Sequence, residues 1–135
     1  MPSWRNEFFV LSNKARIPAI GLGTYKIKGQ ESVDLAIQSA LNEGYRLIDT
    51  ASVYRNESLI ATSVSGWKTI SREEIFLTSK LGPKDQGREK AKLAFEQTLR
   101  NLQTDYLDLY LIHWPGAGYR VIIIYYKYNT PRLTW

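Results

Sequence analysis

Apolar residues along this chain alternate between two rhythms. Short runs dominated by apolar side chains occur at Tyr45–Asp49, Ile75–Lys80 and Tyr106–His113. Between them apolar residues recur every three or four positions: Val33, Ala36, Ile37, Ala40 and Leu41 in one stretch, and Ala91, Phe95, Leu99 and Leu102 in another. The first pattern predicts buried strands and the second predicts helices with one face turned to a core. Arg55–Ser65 is a weaker helix, because Ser58, Thr62 and Ser63 lower its propensity. Gly44 stops the first helix, and Gly82-Pro83 forms the loop ahead of the third. Upstream, Phe8–Leu11 and Ala15–Pro18 flank Ser12-Asn13-Lys14 as a short hairpin with Asn13 in its turn, and Ala19–Leu22 is a further short strand.

The predicted order is a β-hairpin followed by β-α-β-α-β-α-β. Such alternation implies a parallel sheet with right-handed crossovers, an α/β fold of about four parallel strands and three helices. Parallel strands joined by helices all end on the same edge of the sheet, so their last residues meet there. Asp49, Lys80 and His113 each close one of the apolar runs, and Tyr54 stands in the loop just after the first. An acid, an amine, an imidazole and a phenol on one edge are candidates for proton and hydride chemistry. Each also has a plainer reading. Asp49 can cap a turn or form a structural ion pair with Lys80, Tyr54 can be a half-buried surface aromatic, and a lone His113 on an apolar strand can be a satisfied core side chain.

Composition narrows the frame. The 135 residues are one domain's worth, and 44% hydrophobic with 23% charged residues is the make-up of a soluble globular protein, so we expect a cytoplasmic location. With no cysteine and one histidine, disulfides are excluded and no metal site is expected. No membrane association is expected either, since the longest apolar run, Val121 to Tyr126, is far shorter than the roughly 20 residues of a spanning helix. The net charge of +5 does not indicate a nucleic-acid partner. Three of the 18 bases, Arg120, Lys127 and Arg132, lie beyond Ala117, where there are no acids, leaving 15 bases against 13 acids before it. The local cluster Lys84, Arg88, Lys90 and Lys92 is interleaved with Asp85 and Glu89 and reads as a solvated helix face. Gly21-Leu22-Gly23 is not a dinucleotide fingerprint, because the third glycine is missing.

The stretch Gly44-Tyr45-Arg46-Leu47-Ile48-Asp49-Thr50-Ala51-Ser52-Val53-Tyr54-Arg55-Asn56-Glu57 resembles the first signature of the aldo-keto reductases. Leu77–Leu81 resembles the family's lysine strand, Asp105–Pro115 its histidine strand and Ile17–Thr24 its opening, and the likeness runs from about Ile17 to Gly116. What the resemblance implies is a (β/α)8 barrel, closed at the bottom by the hairpin, that reduces aldehydes and ketones with a nicotinamide cofactor, NADPH. It implies Tyr54 as the acid that protonates the carbonyl oxygen, Lys80 as the cation favouring ionisation of the phenol, and Asp49 as the group that holds Lys80 and lies near the cofactor's ribose. His113 would orient the substrate carbonyl, Gly23, Thr24 and Tyr25 would line the nicotinamide end, and Trp114 would border the substrate pocket.

Two departures accompany the resemblance. Ala61 stands where the signature usually has glycine. A closed barrel takes about 250 residues, so residues 1–117 read as its N-terminal half and residues 118–135 as a tail outside the family, the chain being a truncated product. Within that tail, Val121–Tyr128 is β-branched and aromatic without helical periodicity, a composition that favours intermolecular pairing. Four strands with helices on one face leave sheet edges open to self-association. An alternative function is therefore a non-catalytic half-barrel that associates with a partner through its open edge.

Overall fold

The computed structural model describes residues 7–115. The tail 118–135 and its run Val121–Tyr128 lie outside the described residues. A hairpin of β1 (Phe8–Val10) and β2 (Arg16–Pro18) precedes a four-stranded parallel sheet, ordered β3 (Leu22–Gly23), β4 (Leu47–Asp49), β5 (Phe76–Leu81) and β6 (Leu109–Ile112). Helices α1 (Gln30–Asn42), α2 (Glu57–Ser65) and α3 (Arg88–Leu102) fill the three crossovers. The expected hairpin, four parallel strands and three helices are all present.

Asn13 does sit in the hairpin turn, where its Oδ1 accepts the Ala15 N–H at 3.0 Å beside Lys14 in left-handed backbone. α1 ends as its sequence predicts. Gly44 takes φ 87°, and the amides of Gly44 and Tyr45 close on the carbonyls of Leu41 and Ala40. The helices bury one side against the sheet: Val33, Ile37 and Leu41 of α1, Ile60 of α2, and Ala91, Phe95 and Leu102 of α3 meet Ile48, Leu77, Leu81 and Tyr110. The cluster Lys84, Arg88, Lys90 and Lys92 is exposed, a solvated face.

Several boundaries differ from the sequence reading, each for a local reason. The strand expected at Ala19–Leu22 pairs only at Leu22 and Gly23, opposite Ile48 and Asp49. Gly21 packs against the Leu47 side chain, which would have to shift to admit a Cβ there. α2 begins at Glu57 because Ser52–Tyr54 forms a 3-10 turn and Arg55 then takes φ 58°. A non-glycine residue pays a steric cost there. We expect Arg55→Gly to leave stability within about 1 kcal/mol of the parent and Arg55→Val to lose about 1–2 kcal/mol, because a β-branched side chain fits that region worst. Urea denaturation of the two variants checks this.

Two polar networks tie the layers together. Arg72 donates to the carbonyls of Ile75 at 2.6 Å and Tyr106 at 2.9 Å, to Thr104 Oγ1, and to Asp108 Oδ2 at 3.0 Å. The same Asp108 oxygen accepts the Leu77 N–H at 2.9 Å, so the pair locks β5 to the segment entering β6. Glu57, the first residue of α2, is buried, and its carboxylate accepts from Ser79 Oγ at 2.7 Å, Asn101 Nδ2 at 3.0 Å and Thr98 Oγ1 at 3.5 Å. This carboxylate explains why Thr98, and not Leu99, is a fully buried position of α3: the inner face carries a hydrogen-bonding residue that an apolar pattern passes over.

Candidate active site

The C-terminal ends of β3, β4, β5 and β6 deliver Gly23, Asp49, Lys80 and, one residue past β6, His113 to one edge of the sheet. Register puts them on a shared face. Gly23 pairs with Asp49, Asp49 with Thr78 and Lys80 with Leu111, and alternation along each strand keeps Asp49 and Lys80 on the side away from the helices. Opposite them, Ser79 turns to Glu57 and Ile48 to the core.

Lys80 is the hub of the cluster. Its Nζ donates to Asp49 Oδ1 at 2.5 Å, to the Thr50 carbonyl at 3.0 Å and to the Tyr54 hydroxyl at 3.5 Å. The Lys80 side chain is 14% exposed and that of Asp49 34%, so the amine is more sheltered than the acid that holds it. The 3-10 turn Ser52–Tyr54 brings the phenol back over the strand ends, and Ser52 Oγ donates to the Lys80 carbonyl at 3.2 Å. His113 stands edge-on to the Tyr54 ring at 5.5 Å between centroids, and Trp114 stands edge-on to His113 at 4.4 Å. All four strand-edge and loop candidates, Asp49, Tyr54, Lys80 and His113, thus come together.

Burial first, and then the nearby Lys80 cation, hold His113 below the usual imidazole range, with Asp49 opposing more weakly. The ring is therefore neutral at neutral pH and can donate one hydrogen bond or accept one. Its Nδ1 has no hydrogen-bond partner among the described residues. The loop after β3 completes the site. Thr24 is buried and its hydroxyl donates to the Asp49 carbonyl at 3.0 Å, whereas Tyr25 is 64% exposed with its ring 5.0 Å from that of Tyr54. A Cβ at Gly23 would meet no atom of the described residues within 4 Å, so the position that pairs with Asp49 is open on that side. Among the described residues no group of three or more His, Cys, Asp or Glu is placed to hold a metal, and no helix is long and apolar enough to cross a membrane.

Asn56, Thr50 and Ser52, which hold the loop carrying Tyr54, leave no periodic signal in the sequence. The available signal was their polarity: three small hydrogen-bonding residues within seven positions of a segment otherwise set between apolar runs.

Comparison with known proteins bears on the family and the fold. The profile of the aldo/keto reductase family matches residues 19–123. The chain is 42% identical over 116 residues to glyoxal reductase of Bacillus subtilis, covering 86% of this chain and 42% of that protein. It is 41% identical over 117 residues to morphine 6-dehydrogenase of Pseudomonas putida, covering 87% of this chain and 39% of that protein. Among solved structures, an aldo-keto reductase from a deep-sea metagenome superposes with a TM-score of 0.76 at 46% identity, over 81% of this chain and 39% of that one. A Bombyx mori aldo-keto reductase in complex with NADP superposes with a TM-score of 0.72 at 35% identity, over 81% of this chain and 38% of that one. The chain thus spans about two-fifths of the length of these relatives, and its strands and helices form part of their barrel. By profile, by sequence identity and by fold, this chain belongs to the aldo/keto reductase family.

Proposed function

We propose that this site reduces the carbonyl group of a small aldehyde or ketone with NADPH, in the cytoplasm. The observation that carries the reading is the single Lys80 ammonium in contact with both the Asp49 carboxylate and the Tyr54 hydroxyl. When bound, the cofactor supplies a hydride to the carbonyl carbon. Tyr54 gives its hydroxyl proton to the carbonyl oxygen, and the negative charge left on the phenol oxygen develops 3.5 Å from the Lys80 cation. Asp49 fixes that cation, as does the Thr50 carbonyl. Neutral His113 aligns the carbonyl oxygen by a hydrogen bond, and Trp114, half exposed beside it, borders the substrate. Gly23, Thr24 and Tyr25 line the nicotinamide end.

Fluorescence titration with NADPH and aldehyde-dependent NADPH oxidation test the reading, and absence of any NADPH binding defeats it. Lys80→Met should lower turnover about 100-fold, since it removes the charge facing the developing phenolate. Lys80→Arg should not restore it, because a planar guanidinium cannot take the place of a compact ammonium among three oxygens. Steady-state kinetics at saturating NADPH reads both.

A second reading draws on the sheet edges. Among the described residues β3 and β6 each pair with one neighbour only. Open edges favour self-association or union with a partner in place of catalysis. Size-exclusion chromatography across a concentration series separates the two: a concentration-dependent oligomer without NADPH binding supports the second reading.

A further inference from the structure

Asn56 lies one residue beyond the left-handed Arg55 and is 2% exposed. Its amide is held by three other groups. Nδ2 donates to the carbonyls of Thr24 at 2.9 Å and Ile27 at 3.1 Å, and Oδ1 accepts from Thr50 Oγ1 at 3.1 Å. Two carbonyl acceptors on one side and a hydroxyl on the other fix which amide atom is nitrogen, so the side chain has one orientation available. The partners belong to the two segments flanking the proton donor. Thr24 and Ile27 bracket the loop of Tyr25, whose ring packs at 5.0 Å on that of Tyr54. Thr50 follows Asp49, and its carbonyl holds Lys80.

We propose that Asn56 is a positioning residue that sets where Tyr54 stands relative to Lys80 and to the Tyr25 loop. Its own backbone continues the turn that carries Tyr54, and its side chain pins that turn to the loop on one side and to the end of β4 on the other. Freed of these bonds, the 3-10 turn has the Tyr54 amide to the Ala51 carbonyl at 3.0 Å and the Arg55 amide to the Ser52 carbonyl at 3.2 Å as its internal bonds. A phenol 3.5 Å from its cation has little tolerance for drift. The activity side of this inference rests on the reading of Tyr54 as proton donor, and the geometric side does not.

Two variants of the 135-residue chain test it. Asn56→Ala removes the clamp. Thr50→Val is nearly isosteric, keeps the carbonyl that holds Lys80 and removes only the hydroxyl given to Asn56, so it serves if the first variant fails to fold. Nuclear Overhauser contacts between the Tyr25 and Tyr54 rings should weaken in both, while those between Phe95 and Tyr110, packed at 5.1 Å in the core, stay unchanged. General loosening would weaken both pairs and would overturn the assignment, as would full retention of the Tyr25–Tyr54 contact. In parallel, kcat for NADPH-dependent reduction of 4-nitrobenzaldehyde should fall about 10- to 100-fold in Asn56→Ala with KM little changed. Tyr54→Phe is the reference. If it loses turnover while Asn56→Ala keeps it, the positioning role fails and the proton-donor reading stands. If Tyr54→Phe turns over no differently from the parent while the ring contact is lost in the Asn56 variant, the proton-donor reading fails and the geometric role stands.

Discussion

Tyr54→Phe is expected to lower carbonyl reduction by at least 100-fold while NADPH binding stays within a factor of about three. The substitution removes one oxygen and leaves the ring, so the packing against Tyr25 and the edge contact with His113 persist. It also leaves the Asp49–Lys80 pair and the Lys80 bond to the Thr50 carbonyl. What disappears is the transferable proton. Among the described residues no nearby group replaces it: His113 is neutral at neutral pH and so is a weak acid there, and the Lys80 ammonium is engaged by two oxygens. Retention of most of the turnover would show that the proton comes from elsewhere, and loss of NADPH binding in step with turnover would show that the phenol belongs to the cofactor site.

The second large effect is on stability. Arg72→Ala should destabilise the fold by about 3–5 kcal/mol, because it strands a buried carboxylate as well as removing four hydrogen bonds. Asp108 is 6% exposed, and the cation that faces it is Arg72. The guanidinium also serves the carbonyls of Ile75 and Tyr106, which lie at the entries to two adjacent strands. Thermal unfolding followed by circular dichroism reads the loss. Adding Asp108→Asn in the Arg72→Ala background should recover part of it, since the amide oxygen can still accept the Leu77 N–H without leaving an unpaired charge. No recovery would mean that the lost carbonyl contacts, and not the stranded carboxylate, set the cost.

Much of this architecture was legible from the order of apolar runs. Alternation of strand-like and helix-like stretches dictates parallel pairing, and parallel pairing alone brings Asp49, Lys80 and His113 to one edge. Gly44 ended α1 where a positive φ was needed, and the hairpin turn closed around Asn13. The approach of Tyr54 was not legible in that way. It depends on a 3-10 turn and a left-handed Arg55, neither of which leaves a periodic trace, and on an amide clamp whose partners lie 6 to 32 residues away. The buried carboxylate of Glu57 is of the same kind, reaching Ser79 at 22 residues and Asn101 at 44.

The sequence by itself determined the succession of strands and helices, the buried face of α1, most of that of α3 and the family likeness of its strand-end residues, because periodicity is a local property that burial on one side imposes. Only the tertiary structure decided that Lys80 touches Asp49 and Tyr54 at once, across separations of 31 and 26 residues, and that Asn56 holds the turn between them. Those are contacts between polar groups distant in the chain. Their strength depends on direction and on exclusion from water, and both arise only after the apolar faces have packed.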